Sequence, residues 1–368
     1  MIVAAPSAQI GAVTAEAYVV PTDGVESDGT LAWSETTLVV VHVSAAEHTG
    51  LGYTYADAAT ARVVRDHLAP VVQGGDAMDV PALWNAMRHR IRNLGRPGIV
   101  SMALSAVDSA LWDLKARVLG LPLVTLLGAV RDAIPVYGSG GFTSYTVEQL
   151  QRQLGGWAAA GIARVKMKVG RDARADRERV RAAREAIGPG VELFVDANGA
   201  YTQKLALAQA EAFARSGVTW FEEPVSSDDV DGLRFVRERV PAGMDVAAGE
   251  YGYDLFAFRR LLECDAVDVL QVDVTRCGGI TELARVDALC QAHARPLSGH
   301  TAPSLHVHAA CAATAMRHLE YFHDHVRIEQ MLLDGAPVPV DGLLAPDRSR
   351  PGNGLELRRA DAERYRVY

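Results

Sequence analysis

From Ile134 to about Phe322 the chain keeps one rhythm: a short apolar strand, a turn, then a helix-length stretch with amphipathic spacing. Parallel strands need crossovers of that length, so the alternation implies a parallel sheet covered by helices. Strands are expected at residues 135–138, 163–169, 192–196, 219–222, 245–249, 268–274, 296–299 and 318–322. Eight strands suggest closure into a barrel. An open doubly wound sheet would bring a glycine-rich first turn, and the nearest run, Gly138-Ser-Gly-Gly141, lacks the full spacing.

Residues 1–125 read differently. A strand over 34–45 followed by helices over 81–93 and 101–119 predicts an α+β domain. The barrel is expected over 126–329, and the Pro- and Gly-rich tail, about 330–368, is expected to run over the surface and complete the α+β domain. The net charge of −8 and the lack of any basic run interleaved with aromatics argue against nucleic acid. Apolar stretches break well before the roughly 20 residues of a membrane-spanning helix. No Lys or Arg precedes Arg62, as a secretory or transit leader would require. Cys264, Cys277, Cys290 and Cys311 form no Cys-x-x-Cys pair and read as reduced thiols, so the expected location is cytoplasmic. Assembly into a homo-oligomer is expected.

Several strand ends carry polar groups that a purely structural strand does not need. Asp196, Glu222 and Glu250 follow one another at intervals of one βα unit, so in a barrel they converge at the C-terminal face. Any one alone could cap the following helix. Three converging carboxylates repel unless a cation holds them, and hard oxygen ligands suit Mg²⁺. Strand parity leaves Glu222 and its neighbour Glu223 as alternative ligands.

The chain has only four lysines, and two stand at Lys166 and Lys168. Two apart on a strand, they share a face, and each is expected to lower the pKa of the other, preparing a base. His300 ends the seventh strand, where Asp273 on the neighbouring strand could orient its imidazole. Glu320 ends the eighth, where it could hydrogen-bond a substrate if protonated, or cap a loop. His323-Asp-His325 is a weaker metal candidate, reading first as surface and packing residues.

The order Lys-x-Lys, Asp-x-Asn, Glu-Glu-Pro, Gly-Glu, Asp, His, Glu resembles the mandelate racemase subgroup of the enolase superfamily. The helix Ala103 to Lys115 and the turn Arg276-Cys-Gly-Gly-Ile280 resemble that family's signatures too. The resemblance implies a modified (β/α)7β TIM-like barrel under an α+β cap, with Mg²⁺ on Asp196, Glu222 and Glu250. It implies Lys168 as a base on one face of a small-molecule carboxylate substrate, with Lys166 beside it lowering its pKa and touching the substrate carboxylate. Asp273-His300 would serve the other face, and Asn198 and Glu320 would bind the carboxylate and the enediolate. The segment from Pro21 to Trp33, rich in acceptors such as Asp23, Glu26 and Asp28, is expected to read substrate hydroxyls, together with Tyr53 and Ser139. That polarity favours dehydration of an acid sugar over racemisation or epimerisation of a 2-hydroxy acid, with a non-catalytic metal-binding barrel as a third reading.

Overall fold

The structure is a computed structural model that describes residues 8–368. Three antiparallel strands open it: β1 (Ile10–Ser27), β2 (Ala32–Ala45) and β3 (His48–Tyr55). Helix Ile99–Val118 packs on β2 and β3 of this sheet, and helix Val80–Arg90 packs against that helix. Contact between β3 and Ile99–Val118 is backbone-close. A Cβ on Gly50 or Gly52 would lie 2.2 Å from the carbonyl oxygen of Ala110 or Ala106.

Eight parallel strands follow: β4 (Ile134–Gly140), β5 (Arg164–Lys168), β6 (Glu192–Asp196), β7 (Val218–Glu222), β8 (Asp245–Ala248), β9 (Val269–Val272), β10 (Leu297–Gly299) and β11 (Met316–Phe322). Pairing of β11 with β4 closes the barrel, and seven helices alternate with the eight strands. The open sheet is thereby excluded. Each strand is buried on both faces, as a helix-covered parallel sheet requires. The barrel's interior is plugged by Tyr137, Phe194, Trp220 and His318, with Phe194 and Trp220 stacked at 5.1 Å. These side chains form a floor, so the chemistry is confined to the C-terminal face.

The segment read as a capping loop is mostly strand, since Glu26 pairs with Trp33 and Ser27 with Ala32 at the far end of β1 and β2. A register shift between Pro21 and Glu26 marks the irregularity that made it look like a loop. The tail is also more structured than a surface strand of Pro and Gly suggests. Leu343–Leu344 pairs with β4, Leu333–Asp334 pairs with Glu356–Leu357, and Val367 hydrogen-bonds Ala17 of β1. Asn353 is buried between cap and barrel, donating to the Leu51 carbonyl and receiving Leu355 N–H.

Candidate active site

The helices of the barrel take their caps from residues other than the three converging acids. Thr146, Thr202, Asp229 and Asp254 accept the N-terminal N–H groups. Asp196, Glu222 and Glu250 are left free for the interior, and one carboxylate oxygen from each lies within 4.8 Å of the others. Backbone strain collects just past Asp196, Glu222 and His300, where Asn198, Glu223 and Thr301 sit at positive φ.

Both lysines of β5 are buried and face this cluster. Lys166 Nζ lies 2.5 Å from Glu222 Oε1, 2.8 Å from Glu320 Oε1 and 3.5 Å from Asp196 Oδ2. Lys168 Nζ lies 2.5 Å from Asp196 Oδ2. Across the cluster, His300 Nδ1 is 2.8 Å from Asp273 Oδ2, and its Nε2 is 3.1 Å from Glu250 Oε2. Arg276 bridges Glu250 and Asp273, at 3.4 Å from each. Lys168 therefore flanks the acids on one side and His300 on the other.

Six carboxylates, those of Asp196, Glu222, Glu223, Glu250, Asp273 and Glu320, share this volume with four cationic groups, Lys166, Lys168, Arg276 and His300. With every group ionised, two negative charges are in surplus. Burial, together with Asp196, pushes the Glu222 carboxyl up, and burial with Glu250 pushes Glu223 up further. Glu320 is held low despite its burial because Lys166 and His300 face it. It also accepts hydrogen bonds from Ser139 Oγ and Thr301 N–H, so it stands as an ionised acceptor and not as the protonated donor that was one reading.

Burial depresses the Lys168 ammonium, and Lys166 does lower it further, as its spacing suggested. Asp196, Glu250 and Glu222 together outweigh both, and Lys168 ends above the ordinary lysine range. Spacing on one strand shows the neighbouring lysine, whereas the carboxylates that decide the sign come from other strands. Burial likewise works against the charged form of His300, yet Glu250, Glu320 and Asp273 raise it to about 10.

Over the cluster opens a cavity of about 430 Å³. Lys168, Asn198, Glu250, His300 and Glu320 line it, with Asp28, Trp33, Glu35 and Asp57 above and Tyr251 and Arg276 at the side. Asn198 Oδ1 meets no donor among the described residues. Of the five residues expected to read the substrate, Asp28 reaches the cavity, with Oδ1 also closing a turn onto Thr30 and Leu31. Glu26 does not line it, because its side chain turns inward and accepts Trp33 Nε1–H at 2.9 Å. Asp23 pairs with His323 outside it. Tyr53 is buried behind the wall, its hydroxyl donating to Glu329 at 2.7 Å, and Ser139 serves Glu320 from below. Glu35, Asp57 and Tyr251 went unread, since nothing in their spacing separates a wall residue from an exposed one. Arg276 lay inside a motif already singled out.

A closed (β/α)7β barrel with an antiparallel cap, a carboxylate triad at the strand ends, and a lysine and a histidine on opposite sides defines a class of capped barrel whose buried charged groups gather at one face. The chain belongs to the mandelate racemase/muconate lactonizing enzyme family of the enolase superfamily. Residues 24–128 match the mandelate racemase/muconate lactonizing enzyme N-terminal domain, and residues 148–362 match the enolase C-terminal domain-like family. It is 35% identical over 319 residues to the 3,6-anhydro-alpha-L-galactonate cycloisomerase of Streptomyces coelicolor, covering 84% of this chain and 85% of that one. It is 34% identical over 333 residues to the L-rhamnonate dehydratase of Saccharopolyspora erythraea, covering 87% and 83%. Among solved structures, a mandelate racemase/muconate lactonizing enzyme-like protein from Rubrobacter xylanophilus superposes with a TM-score of 0.96 at 56% identity, over 98% of this chain and 100% of that one. A racemase from Streptomyces coelicolor A3(2) with bound magnesium superposes with a TM-score of 0.91 at 32% identity, over 97% and 100%.

Proposed function

We propose that this protein is a Mg²⁺-dependent dehydratase of acid sugars, converting an aldonate or aldarate to a 2-keto-3-deoxy acid. One observation carries the reading: Lys168 and the Asp273-His300 pair face a single cavity from opposite sides of the carboxylate triad. The two-charge surplus of the cluster fits a divalent cation, with Asp196, Glu222 and Glu250 as its ligands. Mg²⁺ bound there supplies positive charge opposite the negative charge that develops when a proton leaves the carbon next to a carboxylate.

This chain's own residues do the rest. Asn198 holds the substrate carboxylate, and Lys168 takes the α-proton once it is neutral. Lys166, expected to touch the carboxylate as well but buried outside the cavity lining, holds Glu222 and Glu320 instead. His300, charged and oriented by Asp273, gives a proton to the β-hydroxyl, which leaves as water, and the enol left behind tautomerises to the keto acid. Glu320 keeps Lys166 and His300 in place. The polar wall of Asp28, Glu35, Asp57 and Arg276 suits a polyhydroxy acid of roughly four to six carbons better than an aryl acid. A dehydratase relative supports the same reaction, and relatives named cycloisomerase and racemase support an isomerase that uses the same two bases without losing water.

The test is incubation of the Mg²⁺-loaded protein with a panel of aldonates and aldarates, trapping keto products with semicarbazide and following α-proton exchange in deuterium oxide. Keto acid formation establishes the dehydratase. Exchange or ring opening without a keto product gives the isomerase instead, and neither on any acid would overturn both.

A further inference from the structure

A second group of ligating side chains lies outside the barrel mouth. Asp23 and Glu26, near the end of β1, meet His323 at the start of the helix His323–Leu332, and one oxygen or nitrogen from each lies within 4.8 Å of the others. Asp23 Oδ2 is 2.9 Å from His323 Nε2. Glu26 is fully buried. Trp33 donates to its Oε2, whereas Oε1 has no hydrogen-bond partner among the described residues. A buried carboxyl oxygen without a donor is costly, and here it belongs to a side chain that already contributes to a three-ligand cluster. Arg327, the nearest cation, is engaged by Asp324 at 2.8 Å and by the Pro21 carbonyl at 2.7 Å. The two histidines of His323-Asp-His325 part company: His325 stacks on Tyr55 at 3.4 Å, and His323 alone faces the acids.

We propose that Asp23, Glu26 and His323 form a second cation site that takes a divalent transition metal such as Zn²⁺ and ties the outer end of β1 to the barrel rim. One imidazole nitrogen with two carboxylate oxygens is a borderline donor set, suited to zinc, whereas the all-oxygen triad suits Mg²⁺. The residues it would tie are those that place Trp33 and Asp28 over the cavity. Glu26 holds Trp33 directly, and the same strand end is pinned to the loop after β4 through Thr143 and Ser144.

The experiment is equilibrium dialysis of the full chain in saturating Mg²⁺ with added Zn²⁺, followed by elemental counting of both metals per chain. Counting both allows for zinc displacing magnesium in the triad. Wild-type protein is expected to hold one divalent ion more than the His323→Ala, Asp23→Asn and Glu26→Gln variants, each of which keeps the remaining ion and so reports its own folding. Equal totals in wild type and all three variants would overturn the site. Loss of the extra ion in Glu222→Gln but not in His323→Ala would also overturn it, by placing that ion in the triad. Because the readout is metal content, a failure here leaves the dehydratase reading untouched.

Discussion

Lys168 and His300 reach the same cavity by different routes, one along β5 and the other past the end of β10, so their losses should be separable. Lys168→Ala and His300→Asn should each lower turnover about 10²- to 10⁴-fold, the usual worth of a positioned acid or base. The histidine variant should still exchange the substrate α-proton in deuterium oxide. Turnover within a few fold of wild type in both would remove the assignment. Glu329 offers a separate, structural test. Tyr53, Tyr55 and Ser304 all donate to this buried carboxyl, yet burial pushes it up to about 7 from the ordinary 4.5. Its folded value lies above its unfolded one, so its stabilising contribution is complete below about pH 4.5 and is lost as the pH rises through 7. Wild type should therefore lose about 1 to 3 kcal/mol relative to Glu329→Gln between pH 4.5 and 7.5, measured by urea midpoints at each pH. A constant difference would show the donors keep the carboxyl at its ordinary value.

The elements show how two stretches far apart in sequence become one joint. The helix Ile99–Val118 and the turn after β9 were separate signatures in the sequence, and in the fold they meet. Ser105 Oγ accepts Gly278 N–H, Asp108 accepts both the N–H and the hydroxyl of Thr281, and Trp84 Nε1–H donates to the Gly278 carbonyl. This joint sets cap against barrel beside Asp273 and Arg276. Gly279 has φ +86, and a Cβ there would lie 2.4 Å from Asp108 Oδ2. Gly279→Ala should cost about 1 to 3 kcal/mol of stability from the backbone alone and raise KM by shifting the cap. A thermal midpoint and KM both at wild-type values would show that the joint is slack. The eight barrel strands were legible because short continuous apolar runs and βα spacing are local signals. The outer ends of β1 and β2 were not. Val25 is 61% exposed there while Glu26 is 0% exposed, an inversion of ordinary patterning that only the distant partners Trp33 and His323 explain. The triad could be read because Asp196 and Glu222 close their strands and Glu250 follows β8 by two residues. Glu35 and Asp57 reach the cavity only through the way the cap folds over it.

At the scale of the whole molecule the surplus of two negative charges at the barrel mouth links metal binding to stability. Asp196, Glu222 and Glu250 lie at the ends of consecutive strands of a closed barrel, so the fold forces the repulsion on itself, and it adds to burial in raising the Glu222 and Glu223 carboxyls. A ligand that binds only the folded state stabilises it by RT ln(1 + [L]/Kd), about 2.7 kcal/mol at a hundredfold excess over Kd. Mg²⁺ should therefore raise the thermal midpoint of chelator-treated protein by several degrees and restore turnover. Glu222→Gln removes one of the repelling charges while leaving the shape, so without metal it should match or exceed wild type in midpoint. On adding Mg²⁺ it should gain little. Glu223→Gln, whose backbone has already left the strand at φ +37, should keep most of the Mg²⁺ shift. Calorimetric scans of the three proteins with and without Mg²⁺ check the set. A full shift in Glu222→Gln with none in Glu223→Gln would exchange the two ligands, and no shift in wild type would mean the surplus is neutralised by protons, leaving the triad without its metal.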